Sequence, residues 1–112
     1  MHELSITRSV VSLCAERARG RRVHQVRLRI GRLAGIEVEA VKFCFDVCAQ
    51  GTELEGARLV IEDVAGRGEC GVCGASLPMT DFVEMCGCGA SAPLKVVAGE
   101  EMQIVDIELE DE

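Results

Sequence analysis

The sequence predicts an α+β fold: two helices packed on a small three-stranded sheet, with a cysteine-rich module inserted before the last strand. Three observations carry that expectation. Two stretches place apolar residues at helical spacing, and three others alternate polar and apolar residues with period two. Between Gly66 and Gly99 both patterns stop.

The first helix is expected over residues 4–19. Leu4, Val11, Cys14 and Ala18 recur at helical spacing, and Ile6, Val10 and Leu13 widen the stripe. Arg17 and Arg19 suit the carboxyl end of the helix dipole, and Gly20 supplies a left-handed cap. Residues 25–30, Gln-Val-Arg-Leu-Arg-Ile, then alternate as a half-buried strand ending near Gly31. A second helix is expected from Glu37 to Gln50, with Val38, Val41, Phe45 and Cys48 on one face and Gly51 as its stop. Leu59 and Ile61 share one face of a second strand over residues 57–64. Val105, Ile107 and Leu109 alternate with Asp106, Glu108 and Glu110 in a third strand with an acidic outer face.

The 112 residues are 48% hydrophobic and 28% charged, a folded composition, and the three Phe with no Trp or Tyr call for an aliphatic core. A net charge of −7 argues against nucleic acid as a partner. The start, with Glu3 and Arg8 where an apolar signal core would sit, does not read as a secretion signal, and no run is long enough to span a membrane. The expected location is the cytoplasm, where thiols stay reduced. Seven cysteines there read as metal ligands and buried thiols rather than disulfides.

Residues 67–99 hold both prolines and no stripe long enough for a core, so order must come from elsewhere. Cys70-Gly-Val-Cys73 and Cys86-Gly-Cys88 offer four sulfurs in two close pairs, a set that fits tetrahedral zinc. Gly71, Gly74, Gly87 and Gly89 are expected to let the backbone turn around each pair and aim N–H groups at sulfur. The second pair is tighter than usual. One alternative makes Cys86 or Cys88 a spare thiol with another group in the fourth position; another makes Cys70 and Cys73 a redox pair, which would need a helix start that the flanking glycines oppose. Four cysteine ligands leave no open position for catalysis, so the module is expected to be structural and zinc-ribbon-like. Cys14, Cys44 and Cys48 read as small buried hydrophobes on the helices, the last two beside Phe43 and Phe45.

At the amino terminus, His2 groups an imidazole, its own amide nitrogen and the Met1 amine in one chelating unit suited to Ni(II) or Cu(II) in a tetragonal plane. A residue as large as His2 is expected to prevent removal of Met1. Several segments together resemble the HypA/HybF family of hydrogenase maturation nickel chaperones. They are Met1-His2-Glu3-Leu4-Ser5-Ile6, Ile30-Gly31, Phe43-Cys44-Phe45-Asp46, Glu55-Gly56-Ala57, the cysteine pairs, and Glu101-Met102-Gln103-Ile104 through Ile107-Glu108.

The resemblance spans essentially the whole chain. It implies a nickel-binding α+β domain made from residues 1–66 and 100–112, with a zinc-binding domain, residues 67–99, inserted between them. It also implies Ni2+ as delivered cargo, held by His2 with neighbouring backbone nitrogens including the Met1 amine. Glu3 would be a further ligand or a contact that shapes the site, and Cys70, Cys73, Cys86 and Cys88 would hold structural Zn2+. The implied partners are a nickel-handling GTPase and the large subunit of [NiFe] hydrogenase, with urease served in some organisms; a homodimer is a further expectation. The chain departs from the family form where a Cys-Pro-x-Cys knuckle is shortened to Cys86-Gly87-Cys88.

Two other classes compete with this reading. A zinc-ribbon interaction module without a nickel role would be indifferent to His2. An enzyme would need an open metal position or an activated thiol beside a base, and His24 lies in a predicted strand without an evident partner. Acidic residues from Glu100 onward are read as a solvated strand face. Arg17, Arg19, Arg21 and Arg22 form a local basic cluster near the end of the first helix.

Overall fold

The computed structural model describes residues 2–89 and 91–111. Its elements are α1 (Glu3–Ala18), β1 (Val23–Gly31), α2 (Val38–Ala49), β2 (Arg58–Val64), β3 (Arg67–Glu69), β4 (Ser76–Pro78), β5 (Lys95–Ala98) and β6 (Met102–Leu109). Strands β2, β1 and β6 form one three-stranded sheet in that order. The crossover through α2 makes β1 and β2 parallel, as a helical connection between neighbouring strands requires.

Val26, Leu28 and Ile30 of β1 project to one face of this sheet and are fully buried with Val10, Val11 and Cys14 of α1 and Val41 and Phe45 of α2. The core is aliphatic with a single buried Phe. On the opposite face Arg27 and Arg29 flank the Glu62 carboxylate, at 3.4 and 3.0 Å. Phe43 lies off the apolar face expected for α2. It points to solvent, 71% exposed, because it falls on the outer side of α2 while Val41, Phe45 and Ala49 take the inner side.

Two expected features are shifted. The left-handed turn that ends α1 begins one residue early, at Arg19 (φ 52°), and continues through Gly20 (φ 84°). Strand β6 starts at Met102, and its register against β1 slips between Arg27 and Leu28, so that Asp106 and Ile104 are partners of successive β1 residues. Val105 is the extra residue. The inward face is therefore Met102, Ile104, Ile107 and Leu109, and Val105 does not share it.

Residues 67–98 hold a second sheet, β4-β3-β5, antiparallel throughout. Leu33, Cys70, Met79 and Leu94 are buried together, with Leu77, Cys86 and Val96 packed around them. The insert thus has a small apolar cluster although its sequence carries no periodic stripe. The radius of gyration, 17.6 Å, exceeds the roughly 13 Å of one compact globule this long.

Candidate metal centre

The end of β3 delivers Cys70 to a tight turn. Its N–H donates to Ala75 O (2.9 Å), and Gly74, at φ +76°, returns an N–H to Cys70 O (3.0 Å). Cys70 Sγ then accepts the N–H groups of Val72 (3.4 Å) and Cys73 (3.5 Å). The first knuckle's backbone thus aims two N–H groups at one sulfur, as expected of a turn closed by Gly74.

The second knuckle is prepared by Glu84. Its Oε1 accepts from Thr80 N (2.6 Å), Thr80 Oγ1 (2.5 Å) and Asp81 N (3.2 Å), which holds the carboxyl below its ordinary range. Glu84 O accepts the Leu94 N–H, and Met85 bridges Pro93, so Cys86 and Cys88 leave a braced loop. Sequence reasoning missed Glu84; a Thr four residues ahead of a Glu is too common a spacing to signal it.

All four sulfurs lie within 4.8 Å of one another, and no other group of this kind occurs among the described residues. Cys70 Sγ meets Cys88 Sγ at 3.6 Å, and Cys73 Sγ meets Cys86 Sγ at 3.6 Å. A tetrahedron of Zn–S bonds near 2.3 Å has sulfur–sulfur edges of about 3.8 Å. The cage fits zinc, and the shortened Cys86-Gly87-Cys88 knuckle still contributes both its sulfurs. The separations are far longer than a disulfide bond, which is about 2.0 Å.

The electrostatics agree. N–H donation from Cys73 and then Val72 pulls the Cys70 thiol down to about 6. Cys86 also receives a backbone N–H, from Cys88, but proton sharing with the sulfurs of Cys73 and Cys88 pushes it up to about 11. A redox reading of Cys70 and Cys73 loses its ground: Cys70 is buried, opens a turn rather than a helix, and sits among three other sulfurs. Cys14 is buried in the main core, which pushes its thiol up and leaves it inert.

The amino terminus is built differently. His2 is the exposed N-cap of α1, and its carbonyl accepts the Ile6 N–H at 2.9 Å. The first N–H groups of a helix have no acceptor within it, so the His2 amide nitrogen is not committed to the helix ladder. The Met1 amine lies outside the described residues. Glu3 is buried, and its Oε2 accepts the Glu37 N–H at 2.9 Å, tying the start of α1 to the start of α2.

That bond, first among its causes, lowers the Glu3 carboxyl from 4.5 to about 2. A depressed carboxyl stabilises the fold above its unfolded value and ceases to do so as pH falls through the folded one. Glu3→Gln is therefore expected to be less stable than the parent protein at neutral pH. The gap should close between pH 4.5 and 2 in urea unfolding series. A gap independent of pH would show that the carboxylate charge is not responsible.

A sheet-and-helix body with a separate four-sulfur cage defines a metal-binding protein. Comparison with known proteins places it further. The family described as "Hydrogenase/urease nickel incorporation, metallochaperone, hypA" matches residues 1–109. Hydrogenase maturation factor HypA of Geobacter metallireducens is 50% identical over 111 residues, covering 98% of this chain and all of the relative. That of Geobacter sp. strain M21 is 51% identical over the same length and coverage. The solution structure of the Ni metallochaperone HypA from Helicobacter pylori superposes with a TM-score of 0.69 at 22% identity, covering 100% of both chains. A second HypA solution structure gives 0.71 at 24% identity, covering 100% of this chain and 98% of that one. These two share the fold. The chain belongs to the HypA family of nickel metallochaperones for hydrogenase maturation, a family of delivery proteins and not of enzymes.

Proposed function

We propose that the chain carries Ni(II) at its amino terminus and passes it to the large subunit of [NiFe] hydrogenase, working with a nickel-handling GTPase in the cytoplasm. The ligands are the His2 imidazole, the His2 amide nitrogen and the Met1 amine, a nitrogen-rich set suited to a tetragonal ion. Residues 1–66 and 100–112 form the nickel-handling domain. Residues 67–99 form the zinc domain, whose ion is structural. No helix among the described residues is long and apolar enough to cross a membrane.

The observation that carries this reading is the placement of His2. It is exposed at a helix start, while the neighbouring Glu3 is buried and bonded to Glu37, so the chelating residue is accessible on a fixed base. Accessibility lets an acceptor replace ligands one at a time, and the fixed base limits the ordering entropy lost on binding. In this reading Glu3 shapes the site through its bond to Glu37, or adds a further ligand. Zinc, when bound, supplies four bonds that close the insert; the chain supplies the N–H groups to Cys70 and the Glu84 brace that orient its ligands.

Equilibrium nickel titration of untagged protein tests the proposal. One Ni(II) per chain is expected, lost in His2→Ala and when residues are added ahead of Met1. Nickel uptake unchanged in both variants would remove the delivery role from this terminus and leave a zinc-ribbon interaction module.

A further inference from the structure

The four sulfurs are not equivalent. Cys70 is buried and Cys86 half-buried against Leu33, Met79 and Leu94, whereas Cys73 and Cys88 are exposed. The short sulfur–sulfur approaches cross between the knuckles, Cys73 to Cys86 and Cys70 to Cys88, both at 3.6 Å. Every exposed sulfur thus faces a sheltered one from the opposite knuckle.

From this pairing we infer that the zinc cage is a peroxide-sensitive site that opens from one side: Cys73 and Cys88 are the sulfurs attacked, and Cys86 and Cys70 resolve them into two cross-knuckle disulfides that expel the metal. The inference rests on the zinc reading above. A zinc-bound sulfur is already a thiolate, and reactivity among thiolates follows access. The Cys73 thiolate attacks one oxygen of hydrogen peroxide; the S–O bond forms, the O–O bond breaks and hydroxide leaves. Sulfur has lost two electrons and peroxide has gained them, giving a sulfenic acid. The Cys86 thiolate then attacks the Cys73 sulfur; the S–S bond forms, the S–O bond breaks and a second hydroxide leaves. A second peroxide does the same at Cys88 with Cys70. With all four sulfurs in disulfides, Cys70, Cys73, Cys86 and Cys88 would no longer offer thiolates to hold zinc.

The chain carries a convenient reporter of this pairing. Cleavage after Glu69, Glu84 and Glu100 separates residues 70–84, holding Cys70 and Cys73, from residues 85–100, holding Cys86 and Cys88. Untagged protein would first be assayed for zinc, then treated with hydrogen peroxide while a chromophoric chelator follows zinc release, and finally cut with a Glu-specific protease. The expected result is one zinc per chain at the start, released as thiols disappear, with the two peptides joined until a reductant is added. Brief alkylation of the zinc-loaded protein should mark Cys73 and Cys88 about tenfold faster than Cys70 and Cys86. Separate peptides carrying Cys70–Cys73 and Cys86–Cys88 bonds would overturn the inference, as would first alkylation at the sheltered pair or zinc retention under peroxide. Protein with four free thiols and no zinc at the outset would instead defeat the zinc reading itself, before any oxidation.

Discussion

Replacing Cys70 with serine, or stripping zinc with a strong chelator, is expected to unfold residues 67–98 while α1, α2 and the β2-β1-β6 sheet stay folded. The reason lies in what each part buries. Among the described residues the larger sheet rests on twelve buried side chains, including Phe45, Leu28 and Leu54. The insert contributes three, Cys70 itself, Met79 and Leu94, joined by Leu33 from the segment after β1, and its strands are only three or four residues long. A cluster that small is below what an independent fold needs, whereas a structural zinc contributes on the order of 10–16 kcal/mol. Proteolysis of the stripped protein should concentrate between Cys70 and Leu94, and amide exchange there should rise to the level of an open chain. Protection in β1 should persist. Cys44→Ser, which changes a half-buried thiol outside the cage, should keep its zinc. If the stripped protein and the Cys70 variant resist protease as well as the parent does, the insert is held by its apolar cluster and the ion is incidental.

The different origins of order in the two parts decide what could be read from residues alone. Helices α1 and α2 and strand β1 announce themselves because each buries one continuous face, and a periodic stripe follows from that. The cage was legible for another reason: metal coordination depends on ligand type and spacing, which Cys70, Cys73, Cys86 and Cys88 display directly. Strand β6 was only half legible. The bulge at Val105 reverses the parity of the alternation, and a bulge is set by pairing with β1 rather than by β6 itself. Strands β3, β4 and β5 are too short for any period to show. Glu3 could be recognised as part of a motif, but its bond to Glu37 joins residues 34 positions apart and follows only from helix packing. Phe43 and Phe45 were separable from residues alone, because only Phe45 falls at helical spacing from Val38 and Val41.

Gly31→Ala is expected to cost about 3 kcal/mol or more, a large loss for a methyl group added to a strand end. Gly31 closes β1 where the two sheets meet. Its N–H donates to Glu101 O (2.8 Å), and the Leu33 N–H two residues later donates to Gly99 O (2.7 Å). A Cβ at position 31 would fall inside the van der Waals envelope of the Gly99 carbonyl and 2.7 Å from Glu100 N. The obstacle is backbone, not a side chain that could swing aside. Gly99 cannot yield, because it already holds φ +108°, a conformation that side chains rarely adopt, and a Cβ there would come 2.6 Å from Gly66 Cα. A Cβ at Gly66 would in turn collide with the Met79 carbonyl oxygen and come 2.9 Å from the Leu33 side chain. Three glycines therefore let the chain pass from the β2-β1-β6 sheet to the insert and back at backbone contact distance, with Leu33 reaching from one side into the insert's own cluster. Gly71→Ala supplies the comparison, since its Cβ would meet nothing within 4 Å at an ordinary φ; its effect should stay within about 0.5 kcal/mol. Urea unfolding of zinc-loaded protein distinguishes the two. A Gly31 variant as stable as the Gly71 one would mean that the junction gives way easily, and that the sheets are joined by chain connectivity more than by packing.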